Sequence, residues 1–231
     1  MNIIKFCIIL LFFITSNANS ILLKRNSIDI KHHVFDSECN NELKNSEIFN
    51  ECMPTITLGN YKQKCQDIYS KKCQDFYNDS GKSKYFPICS KNNEFIEILQ
   101  PIIFIGSVEN LYNRCFMDEQ NNLCPYSLYV ITKTGGKESL YDTCKSEKCT
   151  NLLVEHVKKV NLDELAAYEN LSFSNRKFTY QEIKTFKKIV DMLESDQCKS
   201  MHITSNGYTI KVNSILLFIL SFIISAYLLN E

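Results

Sequence analysis

The chain has no tryptophan, no surplus of either charge and no internal repeat of useful period. Without tryptophan an exposed indole platform for stacking on sugars is excluded, whereas the 12 tyrosines leave a tyrosine-based one open. Lys and Arg number 26 against 26 Asp and Glu, and no basic stripe interrupts that balance. The electrostatic footprint of a nucleic-acid binder is therefore missing. Histidine is scarce: His32, His33, His156 and His202 are the four, and the adjacent pair reads as a solvated segment near the start of the mature chain. The metalloprotease pattern of two histidines flanking a glutamate, the nucleophile elbow GxSxG and the glycine-rich cofactor fingerprints are all absent. No cofactor is expected.

What is present is concentrated at the ends and in the cysteines. "MNIIKFCIILLFFITSNANS" has Lys5, an unbroken apolar run from Phe6 to Ile14, and then small residues. That is the build of a secretory signal peptide over residues 1–20, cleaved after Ala18 or Ser20, since the apolar core is short for a span. The other end reads "TSNGYTIKVNSILLFILSFIISAYLLNE". Its apolar run from Ser214 to Leu229 makes about 24 Å of helix at 1.5 Å per residue, short of a bilayer core of about 30 Å. Extended over 212–229, with Lys211 snorkelling outward, it serves as a single transmembrane helix. A retained anchor normally carries Lys or Arg on its cytoplasmic side, and here only Asn230 and Glu231 follow. Small residues at Ser205, Asn206 and Gly207, a polar spacer and an apolar end match a glycosylphosphatidylinositol signal better. Residues 206–231 are read as that attachment signal, with Ser205 or Asn206 as the attachment residue.

Between the ends, residues 21–205 form a cysteine-rich extracellular domain. Of the 11 cysteines Cys7 leaves with the leader, and Cys39, Cys52, Cys65, Cys73, Cys89, Cys115, Cys124, Cys144, Cys149 and Cys198 remain. An even set scattered over a secreted chain reads as disulfides, whose connectivity no spacing reveals. Five bridges contribute on the order of 10 kcal/mol after discounting for strain and non-additivity. Zinc is disfavoured, because the closest pairs, 144 with 149, 65 with 73 and 115 with 124, lack finger spacing.

The pattern from Ile21 to about Asn50 is polar and irregular, an arm pinned by Cys39. Tyr61, Cys65, Ile68, Tyr69, Lys72, Cys73 and Phe76 share one face of a helix. Cys65 and Cys73 then lie about 12 Å apart on its axis, so each must bond elsewhere. "NDSGKSKYFPIC" is a loop carrying the sequon Asn78-Asp79-Ser80. A helix from Asn93 to Gln100 breaks at Pro101 and resumes after Gly106, with "PIIFIG" short enough to be a buried strand. Ser127 to Thr132 reads as a strand ending in a plain turn at Gly135 and Gly136, because no GK[ST] ending completes a phosphate loop. Cys149, Leu153, Val157 and Val160 make one helical stripe with His156 beside it, and Asn161 caps the next helix ahead of the second sequon, Asn170-Leu171-Ser172. Thr179 and Glu182 form a capping box, Phe178 and Ile183 a hydrophobic staple, and Ile183, Phe186, Ile189, Val190 and Leu193 an apolar face, with Cys198 closing this helix onto the body. The expectation is a mostly α, disulfide-stapled ectodomain with a small β element near residues 102–132.

Chemistry is thinly supported. A cysteine nucleophile would leave one cysteine unpaired, and His156 beside an apolar face reads as a partly buried surface histidine rather than a base. Asp118 with Glu119 and Asp163 with Glu164 can be nominated for glycoside hydrolysis, but sequence neighbours diverge in direction. The layout is similar to the general plan of small cysteine-rich surface proteins of fungi and protozoan parasites, in arrangement and composition alone. A structural, adhesion or recognition role at the extracellular face of the plasma membrane is expected, toward a cell-wall glycan or a surface protein, ahead of a membrane-attached hydrolase acting on extracellular glycan or peptide. N-terminal sequencing of the secreted chain is expected to begin between Asn19 and Ile21; a product that still starts at Met1 would reject leader cleavage.

Overall fold

A computed structural model describes residues 35–203 apart from 161 and 176. The expected signal peptide, His32, His33, the expected cap at Asn161, Ser205, Asn206 and the apolar tail lie outside the described residues. The rest is a succession of short helices: α1 (Ser37–Asn45), α2 (Glu47–Cys52), α3 (Tyr61–Tyr69), α4 (Lys71–Asn78), α5 (Asn93–Leu99), α6 (Pro101–Asn113), α7 (Pro125–Thr132), α8 (Gly136–Thr143), α9 (Glu147–Lys158), α10 (Leu162–Glu169), α11 (Tyr180–Leu193) and α12 (Asp196–Ser200). Two 3-10 turns, Lys82–Tyr85 and Cys89–Lys91, bridge α4 and α5.

Side-chain caps account for most of the breaks. The described part of the irregular arm expected from Ile21 to about Asn50 is instead helical from Ser37 on, because Asp36 accepts from the Cys39 N–H and starts α1, and Ser46 accepts from the Phe49 N–H and starts α2. The single helix expected from Tyr61 to Phe76 is two. Ser70 has extended backbone (φ −62°, ψ 154°) and its hydroxyl accepts from the Cys73 N–H, so it ends α3 and begins α4. A serine that satisfies the first turn of a new helix competes with continuing the old one. The capping box at Thr179 and Glu182 is present as expected and opens α11.

The expected β element shrinks to one antiparallel bridge, Met117 with Leu123, and among the described residues there is no strand. It closes a turn in which the Asp118 carboxylate accepts from the backbone N–H groups of Gln120 and Asn122. "PIIFIG" and Ser127 to Thr132 are helical, because Pro101 and Pro125 each sit at a first helical position, where a missing N–H costs nothing. In α6 the apolar residues run almost all the way round, with Ile103, Phe104, Val108 and Leu111 buried. Such a helix belongs in a core and carries no amphipathic signature to tell it from a strand. The glycine turn is real: Gly135 sits at φ 79°, and α8 starts immediately after it at Gly136. That helix start, which the sequence reading did not place, comes without the GK[ST] ending.

All ten cysteines among the described residues pair. The bridges are Cys39–Cys89, Cys52–Cys73, Cys65–Cys115, Cys124–Cys149 and Cys144–Cys198, with Cα separations of 4.5 to 5.6 Å. Three lie wholly before residue 116 and two wholly after residue 123. The cores divide likewise. One gathers Phe35, Phe49, Phe76, Phe86, Phe95 and Phe104, and the other gathers Tyr126, Leu140, Leu153, Phe186, Ile189 and Leu193. In the first, Phe76 meets Phe86 and Phe104 edge to face at 6.0 and 5.6 Å, the arrangement that aromatic quadrupoles favour.

Helix α6 joins the halves, packing on α5 and α7 and also on α9 and α10. Its contact with α10 is close: a Cβ on Gly106 would lie 2.5 Å from the Tyr168 hydroxyl oxygen and 2.9 Å from Glu164 Oε1, and both of those residues are buried. Among the described residues no single helix is long and apolar enough to cross a membrane; α5 with α6 passes only as a pair bent by 70°, and much of α6 is core. Gly106→Ala should lower stability by about 1–3 kcal/mol through overpacking at this seam, read as a lower thermal midpoint; an unchanged midpoint would mean that α10 yields freely.

Candidate functional site

Where α3, α6 and α9 converge, polar and aromatic groups gather around Glu109. It sits on α6, one turn before Tyr112, so both project on the same side. Lys159, the C-cap residue of α9, donates to Glu109 Oε1 at 2.8 Å, and His156 Nδ1 lies 3.6 Å from Glu109 Oε2. Burial alone would raise the Glu109 carboxyl, but hydrogen bonding from His156 and Lys159, with their charge, outweighs it and holds the group at about 2. His156 is only 2% exposed and meets Phe116 edge to face at 6.0 Å. The sequence reading placed it partly at the surface; the packing of Phe116 and the Glu109 contact take it inside.

Tyr69, the last residue of α3, lies flat on Tyr112, with ring centroids 5.0 Å apart and planes 5° from parallel. The Tyr112 hydroxyl accepts from Gln74 Nε2 at 2.8 Å. Burial of its stacked side, reinforced by the charges of Tyr112 and Glu109, pushes the Tyr69 phenol up to about 12. Burial likewise raises Tyr112. Both phenols are therefore neutral at physiological pH. The assembly offers an aromatic face, a fixed carboxylate and an ammonium. Glu109, held at about 2, binds a proton only weakly, and His156 is enclosed.

A second feature is a cleft of about 550 Å³ between α9, α11 and α12, lined by Glu147, Asn151, Val154, Glu194, Lys199 and His202 among others. Two carboxylates border it, and that of Glu194 already accepts from Lys158 at 2.6 Å.

The residues nominated from sequence scatter. Asp118 is consumed by its own turn, while Glu119 Oε1 accepts from the Lys148 N–H 2.9 Å away. Asp163 is exposed, whereas its neighbour Glu164 is buried under Gly106. Neither pair converges. Both sequon asparagines are exposed, Asn78 at the end of α4 and Asn170 just after α10. Among the described residues no group of three or more His, Cys, Asp and Glu is placed to hold a metal ion.

The Glu109 cluster was missed because Tyr69, Glu109 and His156 sit on three helices, 40 and 47 residues apart in turn. Only the i, i+3 spacing of Glu109 and Tyr112 hints at it. No protein-family model, curated protein or solved structure matches the chain.

The Glu109 pair sets a pH dependence with a definite sign. Its folded value of about 2 lies below the ordinary 4.5, so its contribution is fully present above about pH 4.5 and is lost as pH falls toward 2. Glu109→Gln should cost about 1–3 kcal/mol at pH 7 and flatten the acid limb of a stability–pH curve measured by chemical denaturation. Equal acid slopes in the two proteins would rule out a stabilising role for these contacts.

Proposed function

We propose that the mature chain is a cysteine-rich, N-glycosylated module displayed on the extracellular face of the plasma membrane, held by a glycosylphosphatidylinositol anchor at Ser205 or Asn206 and serving adhesion, recognition or surface structure. The observation that carries this reading is the complete pairing of the ectodomain cysteines. Five bridges persist in an oxidising compartment, and reduction of the cytosol would dissolve them. Two further features support it. Asn78 and Asn170 are open to a glycosyltransferase, as glycan acceptors must be. Cys144–Cys198 and the bond from the Ile203 N–H to the Lys145 carbonyl, 2.8 Å long, hold the chain to the body just ahead of the attachment residues.

The hydrolase alternative draws on the cleft bordered by Glu147 and Glu194. It ranks second because Glu194 is tied to Lys158 and the buried His156 cannot reach a substrate there.

Phosphatidylinositol-specific phospholipase C is expected to release the protein from intact cells into the medium. Protein that stays with the membrane after a control anchor has been released would reject the lipid anchor in favour of a retained helix over 212–229. In the same preparation, peptide N-glycosidase should increase gel mobility in two steps, one lost in Asn78→Gln and the other in Asn170→Gln. A chain whose mobility the enzyme leaves unchanged would remove glycosylation from the proposal.

A further inference from the structure

Display at a surface leaves the cleft between α9, α11 and α12 without a task. Its floor is apolar, Val154 and Leu193 both being buried. Its rim carries uncompensated charge of both signs. Among the described residues neither Glu147 nor Lys199 has an ion-pair partner, although both border the cleft, so the two do not reach one another across it. Glu194 differs, because Lys158 donates to it at 2.6 Å. The Asn151 amide, on the same rim, makes no side-chain hydrogen bond among the described residues, and His202 Nε2 is enclosed without a partner. A polar nitrogen shut away from water and left unpaired costs free energy, and such groups are rare unless something further reaches them. At about 550 Å³ the cleft is large enough for a small ligand.

We propose that this cleft seats the zwitterionic headgroup of a membrane phospholipid, the phosphate ester of an amino alcohol such as ethanolamine, with Lys199 and the His202 imidazole on the phosphate and Glu147 on the ammonium. The inference rests on the surface-display reading above and adds to it a contact with the bilayer. A ligand of negative charge alone would meet Glu147 and Glu194, and one of positive charge alone would meet Lys199. A ligand that carries both leaves neither sign unpaired. Phosphate oxygens accept strong, charge-assisted hydrogen bonds from an ammonium, and an ammonium donates them to a carboxylate. Position in the chain selects a lipid over a soluble ester. Lys199 lies on α12, and three residues, at most about 11 Å of chain, separate His202 from Ser205, the proposed anchor residue. Between them Ile203 leaves 58% of its apolar surface uncovered. The Cys144–Cys198 bridge and the bond from the Ile203 N–H to the Lys145 carbonyl fix this wall to the body, so the headgroup has little ordering to impose.

The test uses the full chain, made in a eukaryotic secretory host and held in a maltoside detergent, which bears neither charge. Glycerophosphoethanolamine, inorganic phosphate and ethanolamine are each titrated into it by calorimetry. The glycerophosphoester is expected to bind about 10-fold more tightly than either fragment. Lys199→Gln and Glu147→Gln should each weaken it about 10-fold, the loss of one charge-assisted hydrogen bond. Lys187→Gln, on the exposed side of α11 and outside the cleft lining, should leave it within about 2-fold. Because Lys199 and Glu147 are exposed, their variants should keep the unfolding midpoint, which is measured alongside. Dihexanoyl phosphatidylethanolamine, below its micelle concentration, should bind at least as tightly as the glycerophosphoester. Inorganic phosphate matching the ester, equal binding by either cleft variant, or a short-chain lipid weaker than the ester would each overturn the headgroup site. If the ester fails to bind a protein that phospholipase still releases from cells, the headgroup site falls and the displayed module stands. Lys199-dependent binding by a chain that phospholipase does not release would keep the headgroup site and remove the lipid anchor.

Discussion

Helix α6, tied through Cys65–Cys115 to α3 just beyond its C-terminal end, is the constraint on which the remaining arrangement depends. Its Phe104, Val108 and Leu111 complete the first core, and Ile103 packs against Tyr168 and Leu171 from the far side of the molecule. One short helix therefore touches both halves, and it leaves little besides Pro101 and Ile105 exposed. Gly106 shows how tight the fit is, since even a methyl group there would collide with α10. Cross-linking residues 50 apart, as this bridge does, removes chain entropy from the unfolded state and leaves the native packing to hold the orientation.

Around this helix the polar groups are arranged to serve rigidity. Glu109 is kept ionised between His156 and Lys159, and the first of these is buried. Glu109 is itself only partly exposed, so losing a partner costs it more than an exposed carboxylate would lose, and the group ties α6 to α9. Surface pairs elsewhere, such as Lys71 with Asp75, are exposed on both sides and add little. Lys82 is a different case: its ammonium lies over the Phe104 ring at 4.7 Å and donates to the Asp79 carbonyl at 2.6 Å, so the stem fills a gap beside the first core.

The most perturbed carboxylates are both lowered, Glu109 and Asp79 each to about 2. In Asp79 the cause is first the Lys84 hydrogen bond, then the Gly81 N–H and the Tyr85 hydroxyl. Such carboxylates hold structure. Tyr69, stacked flat on Tyr112, keeps its other face open to solvent.

Local signals in the sequence determined a good deal. The Thr179–Glu182 capping box, the stripe of Cys149, Leu153 and Val157, and the separate destinations of Cys65 and Cys73 all follow from period and chemistry within a few residues. Ser70 carried a cap signal of the same kind, hidden because an apolar stripe continues across the break. Tertiary structure alone decided that "PIIFIG" and residues 127–132 are helical, since the period of so short an apolar run fits strand and helix alike. It alone decided which cysteines pair, because pairing is set by the distance between Cα atoms in the folded chain. And it alone brought Tyr69, Glu109, Tyr112 and Lys159 together, for the attraction between them acts through space across three helices and leaves no trace in spacing along the chain.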